Sequence, residues 1–311
     1  GVGLLGSGTQ GRSGESVSVN AATGNLLITR EDEFLIGRGP DVSISRTYNS
    51  FAQASDGDNG DQWQQSTMRR VFGLTGTLNA AGSTVRRQGG DGLVILYSYK
   101  TINGVAAYWA TDGDGSHDKL ARQTAGDNWT WTDGSSQWTE TYETSVVDAS
   151  VFRIKDQKDT DGNTLAFTYV TATDKLDRVT TANHGSPNSG EQSYVQYIWS
   201  GNNITQIVTG YTDYGANNDP AATADDVNRT LTRTRYAYDG SNRLITVTVD
   251  LSPENNSVAD GKTYVTNYTY DGSDRVASIT QTDGSSLLIA YDSAGRVATL
   301  TQAVAGSDVR V

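Results

Sequence analysis

The chain has 311 residues, which is enough for one large β domain or two smaller ones. Its formal net charge of −12 argues against binding to nucleic acid, and the absence of cysteine excludes disulfides, a catalytic thiol and cysteine-type zinc sites. Only 35% of the residues are hydrophobic, but 16 Tyr and 6 Trp argue against disorder, and we expect no membrane span because no stretch approaches ~20 apolar residues.

Alternation with a period of two is widespread along the chain, whereas helical periodicity is almost absent. Asp-Gly pairs recur between residues 91 and 284 as turn signals. The sequence therefore predicts an all-β fold, an extended sheet of stacked antiparallel β-hairpins with little or no helix. We divide it into an opening segment (1–50), degenerate hairpins with inserted loops (51–230) and clear repeats (231–311). We expect one continuous β domain within a longer chain, because the sequence begins at Gly1 without Met.

Three acidic loops carry oxygen-bearing side chains at alternating positions, as a Ca²⁺-binding loop requires. The best candidate comprises Asp112, Asp114, Ser116 and Asp118. Two weaker candidates comprise Asp56, Asp58, Gly60 and Asp61, and Asp156, Asp159, Asp161 and Asn163. Asp, Asn and Gly are also ordinary turn residues, so solvated turns remain the alternative. No cofactor other than Ca²⁺ is expected.

A tryptophan-rich stretch follows the first of these loops. Trp129 and Trp131 are two residues apart in a predicted strand and therefore share a face. Such a row can stack against the rings of surface glycans, and the alternative is packing in the core. Glu140 and Asp133 flank the stretch and offer a carboxylate pair of the kind that hydrolyses glycosidic bonds.

The end of the chain contains three copies of one motif, in which Tyr-Asp is followed by Arg five residues after the Tyr. The members are Tyr238, Asp239 and Arg243; Tyr270, Asp271 and Arg275; and Tyr291, Asp292 and Arg296. A degenerate copy is predicted at Asp174–Arg178 with Thr173 in the tyrosine place, and a fainter one from Trp199. Unit lengths differ, so insertions are tolerated in the connecting turns.

The residue types of the motif suit the architecture of a sheet rather than catalysis. A single hairpin cannot bury its own face, so hairpins must stack edge to edge, with each Tyr in a column beside the next. The Asp can accept hydrogen bonds from turn amides, and the Arg can pair with an Asp or lie over a Tyr ring.

These motifs resemble the YD repeats of the Rhs family, whose pattern is Tyr-Asp-x-x-Gly-Arg-Leu. Tyr291–Val297 matches this pattern closely, while Asn242 and Asp274 replace its glycine in the other two copies. Residues 17–50 resemble the region that opens many Rhs proteins. The matching elements are Val19-Asn20, Thr23-Gly24-Asn25-Leu26, Gly37-Arg38-Gly39-Pro40 and Ser45–Ser50.

The resemblance implies a coiled sheet of hairpins that forms the wall of a hollow shell, in a protein that encloses a toxin or acts at the cell surface. The family cleaves itself at an Asp-Pro near the end of the shell. The one Asp-Pro of this chain, Asp219-Pro220, lies mid-chain and lacks the glycine pattern that follows it in the family. Cage closure and cargo release are therefore not expected of this segment.

Our first hypothesis is a non-enzymatic structural shell or scaffold segment of a large secreted bacterial Rhs/YD-repeat protein, extracellular or on the cell surface. Its partners would be other segments of the same polypeptide or identical copies, joined by pairing of sheet edges. The alternative is a cell-surface adhesin module that binds glycans or neighbouring cells and is stabilised by Ca²⁺. An enzyme is the third hypothesis, which the absence of Cys and the two isolated His disfavour.

Overall fold

A computed structural model describes nine stretches of the chain. They are residues 4–10, 15–37, 39–51, 59–110, 117–123, 127–181, 192–213, 227–304 and 307–310. These stretches form antiparallel β-strands, and one short 3-10 turn is present at Pro253–Asn255. The predicted all-β fold class is confirmed. The same stretches contain no helix long and apolar enough to cross a membrane.

The first sheet has five strands in chain order. They are β1 (Leu4–Gln10), β2 (Glu15–Asn20), β3 (Leu26–Leu35), β4 (Val42–Asn49) and β5 (Trp63–Gln65). Alternate residues of β4, such as Val42 and Ile44, are buried, as expected for a strand with one face on the core. Tyr48 lies opposite Trp63, and this pairing takes the sheet to Gln65, beyond the boundary expected at residue 50.

The next eight strands close into a ring. They are β6 (Arg70–Thr75), β7 (Thr84–Gln88), β8 (Val94–Ile102), β9 (Val105–Ala110), β10 (Lys119–Arg122), β11 (Trp129–Thr132), β12 (Thr139–Thr144) and β13 (Phe152–Lys158). Each strand pairs with the next, and Val71 of β6 lies opposite Phe152 of β13. Buried Tyr97, Tyr108 and Trp129 belong to the hydrophobic core, so the ring has a packed interior.

The remaining strands extend from β13 as a run of hairpins. They are β14 (Thr164–Tyr169), β15 (Leu176–Thr181), β16 (Gln192–Ser200), β17 (Asn203–Asp213), β18 (Val227–Tyr238), β19 (Leu244–Asp250), β20 (Thr263–Tyr270), β21 (Val276–Gln281), β22 (Ser286–Tyr291), β23 (Val297–Val304) and β24 (Ser307–Arg310). Phe152 and Arg153 pair with β6, whereas Asp156–Lys158 pair with β14. Strand β13 therefore belongs both to the ring and to the sheet formed by β13–β24, which we call the hairpin sheet.

The first sheet packs against the hairpin sheet through aromatic side chains. The Trp63 and Tyr268 rings meet edge to face, with centroids 4.9 Å apart, and Trp63 Nε1 donates to the Tyr270 hydroxyl at 3.1 Å. The Tyr48 hydroxyl accepts a hydrogen bond from the backbone N–H of Val276 at 3.0 Å. The buried face of each sheet is thereby covered by the other.

Two glycines of the opening segment allow close contact between its loops and the hairpin sheet. Gly24 has φ +71°, and a Cβ there would lie 2.4 Å from Cβ of Arg296. Gly39 has φ +127°, and a Cβ there would lie 2.2 Å from Cβ of Asn163. A side chain at either position would meet both backbone strain and a steric clash. The first sheet thus contacts the turn after β13 as well as the last Tyr-Asp turn.

A fully buried ionic cluster lies between the two sheets and consists of Arg46, Glu15, Asp32, Tyr236 and Tyr268. Arg46 Nη2 donates to Glu15 at 2.6 Å and to the Tyr268 hydroxyl at 2.8 Å, while Nη1 pairs with Asp32. The Tyr236 hydroxyl donates to Asp32 at 2.6 Å. Because isolated buried charges are very costly, this arginine and the two carboxylates depend on one another.

We expect Arg46→Ala to lower the free energy of unfolding by about 3–5 kcal/mol, because Glu15 and Asp32 would remain buried without their cation. Urea unfolding followed by tryptophan fluorescence measures this change. The matched control is Lys262→Ala, since Lys262 is largely exposed and its 3.8 Å pair with Asp260 is a surface interaction worth at most about 1 kcal/mol. Equal effects of the two substitutions would contradict the importance of the cluster.

Candidate functional site

The three Tyr-Asp turns are closed by the same set of hydrogen bonds. In the first, the Asp239 N–H donates to the Arg243 carbonyl at 3.0 Å, and Asp239 Oδ1 accepts from the N–H groups of Ser241 and Arg243 at 2.9 and 3.0 Å. Arg243 Nε donates to Asp239 Oδ2 at 2.8 Å. Asp271 and Asp292 make the corresponding bonds in their turns. One carboxylate therefore closes each turn and also fixes its arginine.

The residue before the arginine has a left-handed backbone in every copy. Its φ is 62° at Asn242, 61° at Asp274 and 79° at Gly295. Asn and Asp adopt this conformation more readily than other non-glycine residues, which explains why they can replace the glycine of the pattern. Asp274 also accepts a hydrogen bond from Arg243 at 2.7 Å, so this replacement adds a contact between neighbouring turns.

The first two turns are each joined to the tyrosine of the next copy by a contact that we call a rung. The Tyr270 hydroxyl donates to the Leu244 carbonyl at 2.6 Å, and the Arg243 guanidinium carbon lies 4.9 Å from the Tyr270 ring centroid. In the next rung, Tyr291 donates to the Val276 carbonyl at 2.8 Å, with Arg275 4.2 Å from its ring. A rung thus combines a hydrogen bond with a cation–π contact.

Two earlier rungs have the same form although the sequence motif is degenerate. The Tyr169 hydroxyl donates to the Ile154 carbonyl at 2.5 Å, with Arg153 3.9 Å from the ring. Trp199 Nε1 donates to the Leu176 carbonyl at 2.8 Å. The amino group of Lys175 lies 5.8 Å from the Trp199 ring.

The degenerate copy predicted at Asp174–Arg178 is therefore placed wrongly. Its aromatic residue is Tyr169 and its cation is Lys175, whereas Arg178 lies inside β15, 3.9 Å from the Tyr194 ring. The missed signal is the position of the cation opposite an aromatic residue on the next strand, which motif spacing alone does not reveal.

The pKa shifts of the aspartates and tyrosines in the motif follow from these contacts. For Asp239 and Asp271, burial acts to raise the pKa, but the bonds from Arg243 and Arg275 outweigh it and the pKa of each is lowered. The bond from Arg296 lowers the pKa of Asp292. Burial raises the pKa of the Tyr270 and Tyr291 hydroxyls, so both stay protonated at neutral pH and donate in the rungs.

A second buried charge cluster, the Glu140 cluster, lies at the ring and consists of Glu140, Arg87, Arg69 and Tyr142. Arg87 Nη2 donates to Glu140 Oε2 at 2.6 Å, and Arg69 and Tyr142 also donate to this carboxylate. Burial alone would raise the pKa of Glu140, but Arg87, Arg69 and Tyr142 outweigh it and lower the pKa to about 2. Such a carboxylate does not act as a general acid near neutral pH.

The expected glycan platform is not supported by the positions of its tryptophans. Trp129 and Trp131 are only 1% and 9% exposed, so neither presents a ring face to a surface sugar. Trp131 Nε1 donates to the Tyr97 hydroxyl at 3.0 Å, and Arg87 lies 3.7 Å from the Trp131 ring. The prediction was wrong because two residues that are two positions apart in a strand share a face, but the sequence does not tell whether that face is buried or exposed.

The best calcium candidate can be described only in part, since Asp112, Asp114 and Ser116 lie outside the described residues. Asp118 is buried and accepts a hydrogen bond from Gly134 N–H at 2.8 Å, and burial raises its pKa. In the described stretches, no group of three or more His, Cys, Asp or Glu side chains is arranged to hold a metal ion.

The other two candidate loops contain carboxylates that bind the protein itself. Asp61 accepts hydrogen bonds from the N–H groups of Trp63 and Leu244 at 3.0 and 3.1 Å, while Asp56 and Asp58 lie outside the described residues. In the third loop, Asp159 accepts from three groups of its own turn, and Asn163 supplies two of them.

The outer face of the first sheet borders a groove with a volume of about 810 Å³, which is lined by both polar and apolar groups. Small uncharged side chains of β3 and β4 contribute most of this face, namely Thr29, Ser43, Ser45, Thr47 and Asn49. Phe51, which is 42% exposed, lies at its edge. The groove offers hydroxyl and amide groups to a ligand, and it is lined in part by residues of the opening motifs, among them Asn20, Asn25 and Ser45.

The lowered pKa of Glu140 has a consequence for stability. With a pKa of about 2 in the folded protein and 4.5 as the ordinary value, Glu140 stabilises the fold above pH 4.5, and this stability is lost as the pH falls towards 2. The full contribution is about 3 kcal/mol. We expect Glu140→Gln to flatten the dependence of the unfolding free energy on pH across this interval, as measured by urea unfolding.

The control for this experiment is Ser200→Ala, a neutral substitution at an exposed position at the end of β16. It should retain the full acid dependence of the parent chain. If the Glu140→Gln variant kept the same slope between pH 4.5 and 2 as the parent, the buried ion pair would not be the source of that dependence.

Comparison with known proteins finds one family model that matches a stretch near the start of the chain. Residues 17–94 match the model of DUF6531, a domain of unknown function. A second match is to the tRNA nuclease WapA of Bacillus subtilis strain 168, with 39% identity over 61 residues. It covers 20% of this chain and 3% of WapA, so the chain spans a small part of the curated relatives it matches.

Two solved structures resemble the chain at low identity. A structure of the Photorhabdus luminescens Tc holotoxin pore is 14% identical and covers 94% of this chain and 17% of that one, with a TM-score of 0.41. The N-terminal domain of effector protein SpvB from Salmonella typhimurium strain LT2 is 12% identical and covers 88% and 99%, with a TM-score of 0.34. The DUF6531 and WapA matches, together with the three Tyr-Asp motifs, confirm that the chain resembles the Rhs/YD-repeat family.

Proposed function

We propose that this chain is a wall or scaffold segment of a large secreted bacterial Rhs/YD-repeat protein and performs no catalysis. The observation that carries the proposal is the repetition of the rung, which joins neighbouring strands of the hairpin sheet at four places by the same two contacts. Rungs of this kind can be added indefinitely, so they suit a sheet that extends rather than a domain that encloses one site. The partners would be further hairpins of the same polypeptide or of identical copies.

The buried charges support a structural role. Glu140, Asp32 and Glu15 are each held by arginine. Glu15 and Asp32 also accept hydrogen bonds from tyrosines of the hairpin sheet and so join the two sheets, whereas the Glu140 pair joins strands of the ring. The tRNA nuclease activity in the name of WapA belongs to that protein, whose matched part is 3% of its length. We therefore do not assign nuclease activity to this chain.

Imaging of the purified protein tests the wall proposal. We expect negative-stain electron microscopy to show an open-walled particle, since this segment is not expected to close a cage. Small-angle scattering should give a radius of gyration above the ~20 Å of a compact domain of this length. A filled, compact particle with that smaller radius would contradict the proposal.

The groove on the outer face of the first sheet favours a second candidate function, a surface module that binds neutral glycans. The hydroxyl and amide groups of Thr29, Ser45 and Asn49 can share hydrogen bonds with sugar hydroxyls, and exposed Phe51 can stack on a sugar ring. In this candidate, the glycan would bind to accessible residues of the groove and not to the buried tryptophans.

A glycan array of neutral oligosaccharides tests this second candidate. If the groove binds them, Thr29→Arg should weaken binding at least about tenfold, because its long charged side chain fills the groove. The matched control is Ala290→Arg, which adds the same side chain at an exposed position of β22. Absence of glycan binding, or an equal loss in the control, would exclude this role for the groove.

A further inference from the structure

The strand register places the cation of every rung directly opposite its aromatic partner. Thr246 of β19 lies opposite Asn267 of β20, and three further steps along both strands bring Arg243 opposite Tyr270. Ser278 of β21 lies opposite Leu288 of β22, and the same three steps lead to the next cation and aromatic residue, Arg275 and Tyr291. The rungs at the end of the chain therefore follow one geometric rule.

The same rule holds for the two earlier rungs, where the sequence motif has degenerated. Asp156 lies opposite Ala166, and three steps lead to Arg153 and Tyr169. In the next hairpin, Arg178 lies opposite Gln196, and three steps lead to the pair of Lys175 and Trp199. Four rungs with different turn lengths thus share one register, and the cation on one strand predicts where the aromatic residue must lie on the following strand.

Arg296 is the next cation in this series. It is bound by Asp292 as Arg243 and Arg275 are bound by their aspartates. Its side chain is nevertheless 59% exposed, against 27% for Arg243 and 19% for Arg275. Within the described part of the chain, no aromatic ring lies over its guanidinium. Val297 follows it at the start of β23, as Leu244 and Val276 follow the earlier arginines.

The register of β24 shows where the missing aromatic residue belongs. Thr301 lies opposite Arg310, so the five steps back along β23 from Thr301 to Arg296 correspond to five steps beyond Arg310, at position 315. We propose that Arg296 and the Val297 carbonyl form a docking site for the tyrosine of a strand that continues β24, with that tyrosine at position 315. The hydroxyl would donate to the Val297 carbonyl while the ring lies under Arg296.

This inference deepens the proposed function and rests on it, since it names the partner of the wall as a hairpin strand of the same kind. Few side chains can occupy this docking site. Any aromatic ring could lie against Arg296, but only a ring with a hydroxyl or an indole N–H could also donate to the Val297 carbonyl. In the existing rungs, the partner is Tyr three times and Trp once.

A four-residue extension of the full chain tests the docking site. Copying Leu288–Tyr291 after Val311 places a tyrosine at position 315 on a strand of native sequence. A matched extension ends in alanine instead. Each extended chain is prepared with Arg296 and with Arg296→Ala, and the four unfolding equilibrium constants form a double-mutant cycle. We expect tyrosine and Arg296 to be coupled by about threefold to tenfold in the unfolding constant.

Two controls show whether the coupling measured in this cycle comes from a rung. Arg275→Ala and Tyr291→Ala form a positive control, because their rung exists in the chain and its coupling gives the size to be matched. Moving the added tyrosine to position 314 turns its side chain to the opposite face, so the coupling should disappear.

Three results would overturn the docking site. The first is a cycle that shows no coupling while Arg275 and Tyr291 are coupled. The second is equal coupling from positions 314 and 315, and the third is coupling that grows with protein concentration, which would identify a second copy as the occupant. None of these results changes the particle seen by electron microscopy, so failure of this inference is distinguishable from failure of the wall proposal.

Discussion

The bond between an aromatic side chain and the carbonyl that follows the previous turn is the interaction on which the hairpin sheet depends. Neighbouring strands already share backbone hydrogen bonds, but those bonds fit many registers, and a one-residue slip would turn every side chain to the opposite face. The Tyr291 hydroxyl reaches the Val276 carbonyl in one register only. The cation lying over the ring then fixes the position of the turn itself. Each rung therefore specifies register as well as adding stability.

The first sheet depends on the same tyrosine-bearing strands from their inner side. Tyr268, two residues before a rung tyrosine, donates to Glu15 and accepts from Arg46. Because residues two apart share a face, β20 presents one tyrosine to the buried cluster and the next to the rung. Motifs at the two ends of the sequence are thus parts of one interface. Gly24, where a side chain would clash with Arg296, is required for that interface as well as for the left-handed backbone of its own turn.

Much of this fold was predictable from the sequence, because period-two alternation and turn signals are local properties of the chain. The all-β class and the three Tyr-Asp turns follow from them. The ring was not predictable, because its closure depends on Val71 meeting Phe152, some 80 residues apart in sequence. Burial of Trp129 follows from that closure, which explains why the tryptophans gave a wrong binding site. The rung at Tyr169 escaped, and so did the cation of the copy predicted from Trp199, because both cations are identified by strand register and not by motif spacing.

The carboxylates of the Tyr-Asp turns and of the Glu140 cluster are held by arginines and other hydrogen-bond donors of the protein itself. The aspartates of the turns accept hydrogen bonds from their own backbone and from arginine, which lowers their pKa and keeps them ionised. The buried glutamate of the ring is shared by two arginines, and it serves to hold β12 against β7 and the segment before β6. A proton donor needs a carboxyl group whose pKa lies near the working pH, and these contacts move the pKa in the opposite direction. The contacts that hold these carboxylates in the fold therefore leave them poorly suited to donate a proton near neutral pH.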